Sequence, residues 1–484
     1  MKVALVRPNY DSHIVTQPVG LGYLASHLKK AGFEPFIFDG LLQNITNKEL
    51  LEQILAYKPD IVGITCLTAF YWEAVDIARL VKQNNIKCIL GGTHPTFLPY
   101  ETLEETAADF VLCGEGEKAF IELLESNFTS DIKGIYSRDD LLKNKKKPVG
   151  DFAENIFKLD DIEMPAWELL DPNDYSSAPH GAVAKNYPIA SIMTTRGCPY
   201  KCTFCASPGF YEAGIRFRSP EKVIEEIKYL MENYGVKEFH FEDDNLTIKN
   251  RHITTLCELI IENGLNISWT CPNGIRADRT DRTMIKLMKK AGCYAYAFGI
   301  ESANAAVLEK VKKDETIEEI EEAINISIEE GIECQGFFIF GLPGETKESI
   351  EETIAFAKRT KLPRAQFLIL DVLPGTELWT KLQGKFTPNW RKQSYREPEW
   401  IPEGLTKEDL ISAQTRAFRS FYFRPKTLWS MLSKIRPDQY KFLLKRITDF
   451  RIVPKIFKPK EYNKEIISGA ELPLTVSGST SNYC

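Results

Sequence analysis

Three cysteines fall within eight residues in the stretch Cys198-Pro-Tyr-Lys-Cys202-Thr-Phe-Cys205. Closely spaced thiolates on a loop are what an iron–sulfur cluster needs, because the loop must wrap a cubane. Three thiols rather than four leave one iron without a protein ligand, open to a substrate or cofactor. A zinc knuckle is the alternative, but tetrahedral zinc wants a fourth Cys or His at similarly short spacing. None follows, and the nearest downstream histidine is His240. The donor set therefore points to a [4Fe-4S] cluster held by Cys198, Cys202 and Cys205.

The elements around the array have to present it. A strand-like segment, Ile189 to Thr194, runs through Thr195-Arg196-Gly197 directly into the cysteines. Six strand–helix units follow the pattern of short apolar runs alternating with amphipathic stretches. Their strands are Ile189 to Met193, Glu238 to Glu242, Ile267 to Thr270, Ala295 to Gly299, Gln335 to Phe340 and Gln366 to Val372. Ser219-Pro220 reads as the N-cap and first turn of a helix. Six such units describe a partial (β/α)6 barrel, whose chemistry sits at the carboxyl ends of its strands. Those ends carry Glu242-Asp243-Asp244-Asn245, Arg276, Glu301-Ser302, the turn Gly341-Leu-Pro-Gly-Glu-Thr346 and the turn Leu373-Pro-Gly-Thr376.

Residues 1 to about 125 show a second alternation. Strands are expected at Lys2 to Arg7, Phe33 to Phe38, Asp60 to Thr65, Lys87 to Leu90 and Asp109 to Cys113, separated by helices. This predicts a parallel sheet buried on both faces. A ligand would lie at its carboxyl edge, beside the loops Pro8 to Gly20, Cys66 to Tyr71 and Gly91 to Thr96. No G-x-G-x-x-G follows the first strand, which argues against a dinucleotide fingerprint.

The cysteine array, with Phe204 before its last member, resembles the signature of the radical SAM enzymes. The resemblance implies that the open iron chelates the amino and carboxylate groups of S-adenosylmethionine and cleaves it reductively. It further implies that Glu242 and Asp243 lie where the methionine amino group is held. Arg276 would meet the SAM carboxylate with its planar fork, and Glu301 and Ser302 would face the ribose hydroxyls and the carboxylate end. Gly341 belongs to a turn similar to the family's adenine side. The first 120 residues or so, with Pro18-Val-Gly-Leu-Gly22, Gly91-Gly-Thr-His-Pro-Thr96 and Cys113-Gly-Glu-Gly-Glu117, are similar to the cobalamin-binding domain that precedes many radical SAM modules. Glycines at strand ends let backbone approach a bulky ligand. The cobalamin-side candidates are Thr65, Leu67, Thr68, Gly91, Gly92, Thr93, Gly114 and Glu115. Asp11-Ser-His13 resembles the start of a D-x-H-x-x-G motif, but the glycine position is Thr16, and His13 is expected to be a solvated loop residue off the cobalt.

The whole chain agrees with a two-cofactor enzyme. It has 484 residues, 43% hydrophobic and 26% charged, which suits two or three globular domains. A net charge of -6 argues against nucleic acid as a partner. Eleven cysteines are spread too thinly for a disulfide scaffold. The chain opens on a strand rather than a signal peptide and holds no apolar run of about 18 residues, so no transmembrane segment and a cytoplasmic setting are expected. The joint, 126–187, has a hairpin-like piece and a lysine run and shows no chemistry. Residues from Thr406 to Phe421 are amphipathic and should pack on the barrel, Leu428 to Leu443 continue apolar and basic, and Ser477 to Cys484 should be disordered.

The reading is α/β throughout. An N-terminal Rossmann-like (flavodoxin-like) cobalamin-binding domain, 1–125, precedes the linker 126–187, a partial (β/α)6 TIM-type radical SAM barrel, 188–385, and a mainly helical C-terminal region, 386–484. The resemblance implies methylation of an unactivated carbon or of phosphorus in a small-molecule or lipid substrate, with an external donor such as flavodoxin or ferredoxin and a monomeric chain. The rivals are an oxidative cyclisation, ring contraction or rearrangement with the same cofactors, and a cobalamin sensor, for which an open iron would be superfluous.

Overall fold

The first apolar run, Lys2–Arg7, forms strand β1 and pairs in parallel with β2 (Glu34–Asp39) and β3 (Ile61–Thr65). Strands β4 (Lys87–Gly91) and β5 (Phe110–Leu112) extend the sheet in parallel. A sixth strand, β6 (Ile135–Ser137), closes the edge antiparallel to β5, in the order β2-β1-β3-β4-β5-β6. It comes from the hairpin-like piece of the joint, which thus completes the first sheet. In this computed structural model the described residues are 1–424, except 13, 130, 146, 181–183, 212, 213 and 393. His13, Leu428 to Leu443 and Ser477 to Cys484 lie outside them.

The second sheet begins with β7 (Ile189–Ile192). A two-stranded antiparallel ribbon, β8 (Thr195–Arg196) with β9 (Arg216–Phe217), brackets the cysteine loop. Strands β10 (Glu238–Phe241), β11 (Ser268–Ile275), β12 (Cys293–Glu301), β13 (Glu333–Phe340) and β14 (Arg364–Ile369) follow. All pair in parallel, in the order β14-β13-β12-β11-β10-β7. This is the expected six-stranded partial barrel. Helices between the strands bury one apolar face each, and local chemistry sets their ends. Helix Pro220–Tyr234 starts at Ser219, whose side chain accepts from the Lys222 N–H, and stops at Gly235 in the left-handed region.

The amphipathic C-terminal stretch forms the helix Lys407–Tyr422, which buries Leu410, Ala413, Ala417 and Phe421. It lies on β14, where the Tyr422 hydroxyl donates to the Ala365 carbonyl at 2.7 Å. The expected packing against the barrel is what the fold shows. Among the described residues, no helix is long and apolar enough to cross a membrane.

Candidate active site

The cysteine loop leaves the barrel between β8 and β9 and is pinned at its middle. The Thr203 N–H donates to the Val311 carbonyl at 3.0 Å, and the Thr203 carbonyl accepts from the Leu378 N–H at 2.8 Å. Cys198, Cys202 and Cys205 are half-buried with free thiols, whereas the other described cysteines are fully buried. Burial pushes the Cys202 thiol up to about 11 and that of Cys205 up to about 12. Three accessible soft donors on one short loop fit a cluster, and no other group of described cysteines is exposed this way. Phe204 packs into a small apolar cluster with Val307, Leu342 and Leu370 and so anchors the loop.

Glu301 ends β12 with φ at +63°, a strained backbone for a residue with a side chain. That turn lays its carboxylate back over Gly299, where Oε1 would stand 2.6 Å from an added Cβ. Lys313 Nζ faces it at 3.6 Å and also meets Glu315 at 3.1 Å, and all three side chains are buried. The Lys313 charge also lowers the Cys202 thiol against the larger effect of burial. Lys313 was not singled out in the sequence, where it is one of four consecutive charged residues, Lys312-Lys-Asp-Glu315.

The side-chain geometry gives several of the expected residues partners within the protein. Arg276 does not present a free fork. Its Nε donates to Asp278 at 2.8 Å, and its two terminal nitrogens donate to the Lys313 and Asp314 carbonyls at 2.6 and 2.7 Å. Its guanidinium stacks on the Tyr200 ring at 3.6 Å, so it braces the cysteine loop against the Lys313 strap. Ser302 turns away from the barrel mouth. It is fully buried, its Oγ lies 3.3 Å from Thr353 Oγ1, and it accepts from the Asn304 N–H. Asp243 is enclosed by the backbone and hydroxyls of Thr194 and Thr195, and burial still raises it to about 6. Glu242 faces His180 Nε2 at 2.7 Å and the Ser191 hydroxyl at 3.0 Å. Of this acidic turn, Asp244 alone is exposed, held by the Ser207 hydroxyl at 2.9 Å next to the cysteines. The Gly341 N–H is taken by Glu345, and φ of +91° at Gly341 makes the turn.

In the first module the loops after β3, β4 and β5 are laced together. Gly92, at φ +114°, lies so near Cys66 that a Cβ would stand 2.5 Å from its carbonyl oxygen. His94 Nδ1 meets the Thr68 hydroxyl at 3.1 Å, and Thr96 Oγ1 accepts from the Gly114 N–H at 3.0 Å. Thr65, Leu67, Thr68, Gly91, Gly92 and Thr93 form an accessible strip on this edge, with Leu67 42% exposed. Such a strip at the carboxyl edge of a parallel sheet fits a large ligand.

Glu115 is not part of that strip. It is buried and carries two arginines of the second module, Arg216 at 2.9 Å and Arg196 at 3.3 Å. Arg196 also pairs with Glu117 at 2.8 Å. Burial would raise the Glu117 carboxyl, but the Arg196 charge holds it below its ordinary value. Arg196 stands two residues before Cys198, so this network clamps the cysteine loop to the loop after β5. A second clamp uses two glycines, because Cβ atoms on Gly375 and Gly209 would stand 2.3 and 3.5 Å from the Phe97 ring.

The joint, expected to be without chemistry, supplies His180, and its Tyr175 hydroxyl donates to Asp39 at 2.9 Å beside the buried Arg7 pair. Trp390 folds back over the first module, donating to Glu101 at 2.9 Å.

Two family models match this architecture: the B12 binding domain over residues 10–124 and the Radical SAM superfamily over 192–357. An uncharacterized methyltransferase of Pyrococcus horikoshii is 34% identical over 463 residues, covering 92% of this chain and 97% of that protein. The chain belongs to the cobalamin-binding radical SAM enzymes. The enzyme is also 29% identical to the anaerobic magnesium-protoporphyrin IX monomethyl ester cyclase of Rubrivivax gelatinosus, over 92% of this chain and 81% of the cyclase. Its fold matches the radical S-adenosylmethionine methyltransferase TsrM of Kitasatospora setae with a TM-score of 0.66 at 19% identity, covering 91% of this chain and 92% of that one. Its cofactors are those of the two families: a [4Fe-4S] cluster, S-adenosylmethionine and cobalamin.

Proposed function

We propose that this enzyme methylates an unactivated carbon, or a phosphorus, of a small-molecule or lipid substrate. The observation that carries the reading is the clamp between modules, in which Arg196, two residues from the first cluster cysteine, is held by Glu115 and Glu117 of the cobalamin-type domain. It fixes the two cofactor-bearing edges against each other. When bound, the cluster and SAM supply hydrogen-atom abstraction and cobalamin supplies the methyl donor. Cys198, Cys202 and Cys205 would hold the cluster, and Lys313 would orient Glu301 toward the SAM ribose. Asp244 would take the role expected of Glu242 and Asp243 beside the SAM amino group. Thr65, Leu67, Thr68, Gly91, Gly92, Thr93 and Gly114 would line cobalamin. A flavodoxin- or ferredoxin-type donor, a monomeric state and a cytoplasmic setting complete the proposal.

The 34% relative is named a methyltransferase, which favours methyl transfer; the 29% relative is a cyclase, which makes cyclisation the rival. The test is anaerobic turnover of a metabolite extract with SAM bearing a trideuteromethyl group. Methyl transfer yields a trideuteromethylated product with both 5′-deoxyadenosine and S-adenosylhomocysteine. A product that has lost hydrogens, with 5′-deoxyadenosine alone, would establish the cyclase reading instead.

A further inference from the structure

Strand β10 alternates its side chains between two faces. Phe239 and Phe241 enter the apolar core, with Phe241 edge-on to Trp269 at 5.1 Å. Glu238, His240 and the following Glu242 face the other way, and Glu238 and His240 are buried. His240 Nε2 stands 3.1 Å from a Glu238 carboxylate oxygen. Glu238 is itself fixed by the Tyr294 hydroxyl at 2.5 Å and the Ser268 hydroxyl at 3.0 Å. A carboxylate accepts, so the His240 proton sits on Nε2. Nδ1 is then a bare lone pair, buried and without a hydrogen-bond partner.

A histidine that donates one ring nitrogen to a carboxylate and leaves the other bare and buried has the arrangement of a metal ligand. Two further donors stand beside it. His180 Nε2 lies 2.7 Å from Glu242 Oε1, which Ser191 also orients at 3.0 Å. The His180 and His240 rings are 5.0 Å apart, and one ligand atom from each of His180, His240 and Glu242 lies within 4.8 Å of the others. Most buried polar groups are hydrogen-bonded, so a bare buried nitrogen calls for a reason.

We infer that His180, His240 and Glu242 bind one borderline divalent first-row cation, of which Zn2+ is the probe. Two imidazoles and a carboxylate suit such an ion, and three protein ligands leave a position for an oxygen of the substrate. The site stands where the two modules meet. The Val15 N–H, in the loop after β1, donates to the Pro179 carbonyl beside His180 at 2.9 Å. From the same loop, the Gln17 side chain donates to the Ile189 carbonyl at 2.8 Å and accepts from the Ser191 N–H. The cation would anchor a substrate carbonyl, carboxylate or hydroxyl there, and the site is independent of whether the reaction is methyl transfer.

The full chain, purified anaerobically with its cluster, is equilibrated with Zn2+ and gel-filtered before metal analysis and zinc-edge X-ray absorption. The expected result is about one zinc per chain in a nitrogen and oxygen shell with imidazole scattering and no sulfur. His180→Ala lies in the joint and should lose the zinc while keeping the iron content and the visible absorbance of the cluster. If that variant loses its cluster, the isosteric Glu242→Gln is read the same way. No retained zinc, a sulfur shell, or zinc kept in both variants overturns the assignment.

Discussion

Lys313 Nζ stands 3.6 Å from Glu301 Oε1, a buried pair that joins the end of β12 to the strap braced on the cysteine loop. The cation keeps the Glu301 carboxylate in place although burial, the larger effect, raises it above its ordinary value. Glu301→Ala should therefore weaken SAM binding while leaving the cluster intact. Loss of a charge-assisted hydrogen bond costs about 1.5–3 kcal/mol, or roughly ten- to a hundredfold in affinity. Titration of cluster-loaded protein with SAM reads it, and an unchanged affinity removes Glu301 from the site.

Lys313→Met leaves Glu301 and Glu315 buried without their shared cation. Removing one partner of a buried ion pair costs about 3–5 kcal/mol. Thermal unfolding should show a clearly lower midpoint, and Lys313→Arg should recover part of it. An unaltered midpoint in Lys313→Met would show that the three charges are solvated in solution.

Arg196→Met removes one of the two arginines of the clamp between the modules and strands Glu117, whose side chain is 6% exposed. A cost of about 3–5 kcal/mol is again expected. Protease cleavage at the joint should become faster in the variant than in the parent chain. Equal rates would mean that Arg216 on Glu115, with Phe97 against Gly375 and Gly209, suffices to hold the edges together.

Replacing Cys198, Cys202 and Cys205 together by alanine should abolish the cluster. Anaerobic reconstitution of the parent should give about four irons per chain with bound sulfide and broad visible absorbance. The triple variant should show neither, nor cleave SAM. Full iron content in that variant would place the cluster elsewhere.

Glu345 carries a pH dependence. Burial raises its carboxyl from 4.5 to about 8 although the Gly341 and Leu342 N–H groups favour the charged form. Between those values the folded chain keeps a proton that the unfolded chain releases, so stability falls as pH rises through this window. Glu345→Gln keeps an acceptor for the Gly341 N–H and removes the titration. The unfolding midpoint of the parent relative to Glu345→Gln should drop from about pH 5 to about pH 8. A flat difference means that Glu345 titrates as an ordinary carboxyl.

The cysteine array was legible because its donors are neighbours in sequence, and spacing alone brings them to one loop. The two parallel sheets were legible for a related reason: alternation of apolar strands and amphipathic helices follows from local periodicity, and parallel pairing follows from the crossovers. Even β6 showed as a hairpin-like piece, although not as part of the first sheet.

What each strand-end residue touches was decided only by the tertiary structure. Arg276, Ser302 and Glu115 occupy strand ends as read, yet their side chains are taken by the Lys313 strap, by Thr353 and by Arg196 and Arg216. Lys313, His180 and Trp390 carry no local signal. Trp390 meets Glu101 across 289 residues, and His180 meets Glu242 across 62. The sequence by itself determined which chemistry the chain carries and in which module, because residue type and short spacing encode donor sets and element periodicity. The tertiary structure decided which polar groups face the site and which hold it together. A buried charge takes whatever partner packing brings within about 4 Å, and that choice depends on how loops hundreds of residues apart are pressed together.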